Sequence, residues 1–209
     1  RADLGHGDVK KLLFSLSVPT ITSQIVNMLY NLVDRVFIGH MQPAETVGKL
    51  ALTGVGVCLP IIMVISAFAS LMAIGGAPRA SIAEGAGESE KSERIMGNCL
   101  TMLVITALVL TVLFESFAEP LLLMFGASEN TIGYALDYMR IYALGTIFVQ
   151  LTLGMNAYIT AQGFATVSMK TVLIGALLNT ALDPLFIFVL GLGVRGAALA
   201  TVISQAVSA

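Results

Sequence analysis

The chain has 209 residues, of which 56% are hydrophobic and only 11% charged, and its net charge is −2. Soluble domains carry about a quarter charged residues, so most of this surface must meet lipid rather than water. A near-neutral, slightly acidic chain also lacks the basic face that nucleic-acid binding requires. The two cysteines, Cys58 and Cys99, lie in apolar runs and read as small packing residues.

Apolar blocks follow one another at the length of a membrane crossing. They predict spans at 12–38, 50–76, 95–117, 134–160 and 168–190. A crossing takes about 20 residues at 1.5 Å each. A sixth block, 196–209, has 14 residues and reads as a span cut short. The first block is too long for the apolar part of a signal peptide, and no small-residue cleavage site follows it. The prediction is an all-α membrane protein, a six-transmembrane-helix bundle filling 1–209.

Span one carries Pro19, which removes a backbone hydrogen bond and predicts a kink or hinge. Later in the same span comes Asp34. Counting back by 3, 4, 7 and 11 residues reaches Asn31, Tyr30, Asn27 and Ser23, a polar stripe on one side of a helix. In span two, Gly54/Gly56 and Gly75/Gly76 predict close helix approach. The mixed charges of 74–94 predict a solvated loop with a helical end, and 119–128 predicts an interfacial helix before span four. Span four repeats Thr152, Asn156 and Thr160 every four residues, with Tyr138 near the same side. Span five holds Asp183, with Thr180 and Asn179 one turn earlier. Span six carries Thr201 early.

The basic residues give an orientation. Arg1, Lys10, Lys11, Arg79, Lys91, Arg94 and Lys170 share one side, while Lys49 and Arg195 occupy the loops of the other. Arg35 and Arg140 lie near helix ends and can snorkel. The positive-inside rule then places the N-terminus in the cytoplasm. Odd spans run outward, and Asp34, Asp183 and Thr201 all come out in the outer half of the membrane.

A charge inside a span is costly and marks a cavity or a partner. Carboxylate, amide and hydroxyl oxygens at one depth suit a hard cation such as Na⁺, by extension of the oxygen-ligand rule for divalent ions. The same carboxylates suit protons, because burial and like charge both favour the neutral acid. Spacing does not choose between the two. It also leaves a plainer reading for some groups: Asp34 at headgroup level beside Arg35, and the span-four Thr and Asn residues as helix–helix hydrogen bonds.

The segments 17–41, IGGAPRAS (74–81), YITAQGFA (158–165), NTALDPLFIF (179–188) and GVRGAALATVISQ (193–205) occur in this order over almost the whole chain. Together they resemble the N-terminal lobe of MATE (multidrug and toxic compound extrusion) transporters, in the bacterial DinF/MepA-like branch. The resemblance implies a twelve-helix protein of two six-helix lobes, of which the C-terminal lobe is absent here. It implies multi-pass insertion in the cytoplasmic (inner) membrane. The activity it implies is secondary active efflux, exchanging organic, often cationic drugs for Na⁺ or H⁺, with no cofactor beyond that coupling ion and no enzymatic step. By position, Asp34, Asn179, Asp183 and Thr201 resemble the family's cation site, where Na⁺ is the metal expected. Asn27, Tyr30, Tyr138, Thr152 and Asn156 resemble its cavity lining, and Pro19 its first-helix hinge. Phe164-Ala165 departs from the polar residues common there.

Three other functions compete. A lipid-linked oligosaccharide flippase of the same superfamily would share the bundle, but its polyanionic load calls for Arg and Lys in the spans. An intramembrane aspartyl protease needs Gly-x-Gly-Asp, and Asp34 and Asp183 follow Asn31-Leu32-Val33 and Thr180-Ala181-Leu182. A non-transporting structural membrane fragment is the third.

Overall fold

A computed structural model describes residues 9–209, without the side chains of residues 44 and 45. Arg1, counted above on the basic side, lies outside the described residues. The helices are α1 (Val9–Gly39), α2 (Lys49–Val57), α3 (Leu59–Gly85), α4 (Ser89–Met124), α5 (Ile132–Leu144), α6 (Thr146–Ala161), α7 (Ala165–Pro184) and α8 (Val194–Ser208). Single wide turns, Ala44–Gly48 and Leu185–Val189, precede α2 and follow α7.

Four stretches are long and apolar enough to cross a membrane: Val9–Gly39, Thr46–Gly85, Ser89–Met124 and Ala165–Val189. The pair α5–α6 is long and apolar enough for a fifth when its two helices, bent by 58°, are taken together. Exposed Leu71, Leu108, Val112 and Leu177 are the side chains such helices present to lipid.

Between helices in lipid the hydrophobic effect supplies little, and close packing of small residues takes its place. Along α3, Ala69, Ala73, Gly76, Ala77, Ala80 and Ala83 are buried at intervals of three and four, which makes one small-residue stripe. That stripe lets α3 pack on both α4 and α6. The buried run Gly196-Ala197-Ala198 with Ala200 does the same for α8, which sits among α5, α6 and α7. A Cβ on Gly196 would stand 2.7 Å from the backbone of Phe186.

The structure corrects some of these expectations. The charged stretch 74–94 is no long loop: α3 continues to Gly85 and α4 starts at Ser89. Its charges pair one turn apart, Lys91 with Glu88 at 2.6 Å and Arg94 with Glu90 at 3.4 Å, as an exposed helix beyond the membrane permits. Gly87, at φ +79°, closes α3, with the Glu88 N–H donating to Ala83 O at 2.9 Å. A non-helical Phe117, three residues before Pro120, kinks α4 and sets residues 118–124 off as a short helix of their own, in the segment where a separate helix is expected before span four. The fourth crossing is two helices rather than one. It breaks at Gly145, where a Cβ would collide with Val202 of α8. Of the four glycines named in span two, Gly54 and Gly76 meet neighbouring helices closely, while Gly56 and Gly75 face open space.

Candidate functional site

Asp34 and Asp183 do not face lipid. Asp34 is 6% exposed and Asp183 is fully buried. Their helices, α1 and α7, pack on each other. Asn179, one turn before Asp183, donates from Nδ2 to Asp183 Oδ1 at 3.3 Å and to Thr201 Oγ1 of α8 at 3.5 Å. Thr201 in turn donates to Ala197 O at 3.0 Å. Three oxygens, Asp34 Oδ1, Asp183 Oδ2 and Asn179 Oδ1, are buried without a hydrogen-bond partner among the described residues.

Buried oxygens normally find a donor. Asn179 joins the Asp183 carboxylate to the Thr201 hydroxyl, and Asp34 is buried on the helix packed against theirs; oxygens of this kind are what a hard cation or a proton would complete. Among the described residues no three His, Cys, Asp or Glu side chains gather. The amide and hydroxyl must therefore supplement the two acids in any cation shell.

Below this cluster, toward the end carrying Lys10, Arg79 and Lys170, lies a cavity of about 520 Å³. α1 lines it with Thr20, Ser23, Gln24, Asn27 and Tyr30; α6 adds Thr152, Asn156 and Thr160. Asn179 and Thr201 form its inner end, so Asp183 and Asp34 sit one helical turn beyond Asn179 and Tyr30. None of the lining side chains is charged. Of the five expected cavity residues, Asn27, Tyr30, Thr152 and Asn156 line it. Tyr138 does not. It is buried beyond the inner end, stacked on Tyr142 with ring centroids 5.9 Å apart. The bend at Gly145 explains this, because α5 leaves the direction that α6 sets. Asn31 turns outward, exposed, and donates to Asn27 O at 2.7 Å.

Pro19 is buried in α1, and the hydroxyls of Thr20, Thr22 and Ser23 each donate to the carbonyl four residues earlier, at 2.8 to 2.9 Å. Such back-bonding next to a proline favours bending.

Sequence spacing did not single out Ser204, Gln205 and Ser208, which line the cavity from α8. With Thr201 they repeat at 3, 4 and 7 residues, the rule that exposed the α1 stripe. The signal was present in a block judged too short to cross.

The profile of the MatE family matches residues 19–185, most of the chain. The chain belongs to the MatE family. This MatE chain is 30% identical over 203 residues to the multidrug export protein MepA of Staphylococcus haemolyticus, covering 97% of the chain and 44% of that relative. It is 26% identical to MepA of Staphylococcus aureus strain NCTC 8325, again covering 44% of it. The MatE chain thus spans about half the length of the curated relatives it matches. It superposes on an outward-facing multidrug resistance MATE transporter of the MOP superfamily with a TM-score of 0.87 at 29% identity, covering 97% of this chain and 44% of that one. A MOP superfamily transporter from Pyrococcus furiosus, described as having a binding pocket of reverse polarity, matches at a TM-score of 0.88 and 29% identity, covering 97% and 43%. These relatives are transporters rather than enzymes.

Proposed function

We propose that this chain is the N-terminal lobe of a secondary active multidrug exporter, working with a second six-helix lobe. The complete protein exchanges organic, often cationic compounds for Na⁺ or H⁺ across the cytoplasmic membrane, with its N-terminus inside. One observation carries this reading. Asn179 and Thr201 close the inner end of a cavity with no charged lining residue, and the two buried acids, Asp183 and Asp34, stand one helical turn beyond it on α7 and α1.

In this mechanism Asp34 and Asp183 hold the coupling ion, with Asn179 and Thr201 completing its shell. One monovalent ion cancels one of the pair's two charges, which relieves the repulsion between α1 and α7, and α1 then repacks about Pro19. A cationic substrate in the cavity loses its electrostatic partner and leaves outward, and the ion leaves inward when the lobes rock. Coupling needs only that ion and substrate compete for the same charge. The absence of Lys and Arg from the lining supports a cationic or neutral load over a polyanionic lipid.

The test is ethidium efflux by the complete two-lobed protein with Asp34→Asn and Asp183→Asn. Each substitution is expected to abolish ion-driven efflux while leaving the protein in the membrane. Undiminished, still ion-dependent efflux from both variants would refute the proposal.

A further inference from the structure

The cavity separates α1 from α8, and the two helices barely meet elsewhere. One side chain crosses the gap. Gln205 Nε2 donates to the Tyr30 hydroxyl at 3.2 Å. A phenol can accept from the amide nitrogen or donate to the amide oxygen, so the bond survives either amide orientation.

Position gives this contact its meaning. Gln205 lies one turn beyond Thr201 on the same face of α8, and Tyr30 lies one turn before Asp34 on α1. The crossing therefore sits about 6 Å along the helices from the acid cluster. The main chain of Gln205 is also held: Thr152 Oγ1 donates to its carbonyl at 3.2 Å, which anchors α8 to α6 at the same level. Tyr30–Gln205–Thr152 is thus a transverse tie from α1 through α8 to α6, made of neutral groups, immediately under a pair of like charges. When both acids are ionised, repulsion between them works against the packing of α1 on α7. The tie resists that push from a point where no charge changes.

We propose that Gln205 is a positioning residue that holds α1 across the cavity through Tyr30 and so sets the spacing at which Asp34 faces Asp183. The inference rests on reading those two acids as the groups that hold the coupling ion. Its test does not.

Spin labels at Met28 on α1 and Val207 on α8, both exposed, report the gap in the complete protein in nanodiscs, with no ion gradient and no substrate. Gln205→Leu and Tyr30→Phe are each expected to lengthen and broaden the distance distribution. The double variant is expected to go no further than either single, because both remove one bond. Tyr30→Phe keeps the test valid should Gln205→Leu fail to fold. Distances unchanged in Tyr30→Phe, or a double variant equal to the sum of the singles, would overturn the tie. If distances stay fixed while efflux still needs Asp34, only the tie is lost. If distances shift while efflux ignores Asp34 and Asp183, only the ion reading is lost.

Discussion

The two halves of the bundle share their helices but are filled differently. Beyond Asp34, toward the end carrying Arg195, Ile38, Val55, Ile61, Ile65, Phe114 and Met139 interlock in one large cluster. Toward the basic end, the buried apolar cluster shrinks to Ala77, Ala80 and Tyr158, and hydroxyls and amides surround a void. The acids stand at the boundary. A dense half cannot deform continuously, whereas a hollow half can change shape at little cost. A transporter built this way has a fixed floor against which charge is read and an adaptable chamber beside it.

That contrast can be broken in graded steps. In the dense half, Ile65→Ala leaves a cavity on α3 and is expected to destabilise the protein by about 2–5 kcal/mol, read by thermal unfolding in detergent. A value near zero would mean the dense half is not dense. Gly54→Leu is expected to cost about 1–3 kcal/mol, since a Cβ there stands 2.9 Å from Thr131 O and Tyr134 Cβ, and backbone cannot give way. In the hollow half the outcome reverses. Ala176→Phe, projecting into the cavity, is expected to leave unfolding within about 1 kcal/mol of the parent while ethidium efflux drops severalfold. At the boundary, Thr201→Val removes one oxygen from the proposed shell. It is expected to weaken Na⁺-driven efflux about tenfold, the effect of 1.4 kcal/mol, and to spare H⁺-driven efflux, which needs only the acids. Outside both halves, Lys91→Ala breaks an exposed pair with Glu88 and is expected to change stability by no more than about 0.5 kcal/mol in the same assay.

The boundary was legible in the sequence because charge in an apolar run is rare and helical spacing is rigid. Asp34 and Asp183 stand out one by one, Asn179 follows by helical spacing from Asp183, and Thr201 enters only through the common depth that the basic loops imply and through the family resemblance. What could not be read is set by contacts between helices. The bend at Gly145 carries no proline, and the close approach of Val202 from a distant helix, which leaves no room for a side chain there, is invisible in the local sequence. Tyr138 is placed beyond the cavity by that same bend. The helical reading of 74–94 was obscured by its charges, which resemble a loop until their spacing of three and four is counted. Gln150, fully buried with its Nε2 donating to Ile65 O at 2.7 Å, looks in sequence like any polar residue in a span.

The central claim is that both acids handle one coupling ion in competition with a cationic substrate. The most direct measurement counts Na⁺ or H⁺ released when ethidium binds the purified complete protein, in the parent and in Asp34→Asn/Asp183→Asn. Release from the parent and none from the double variant is the predicted result. Equal release from both proteins would contradict the account.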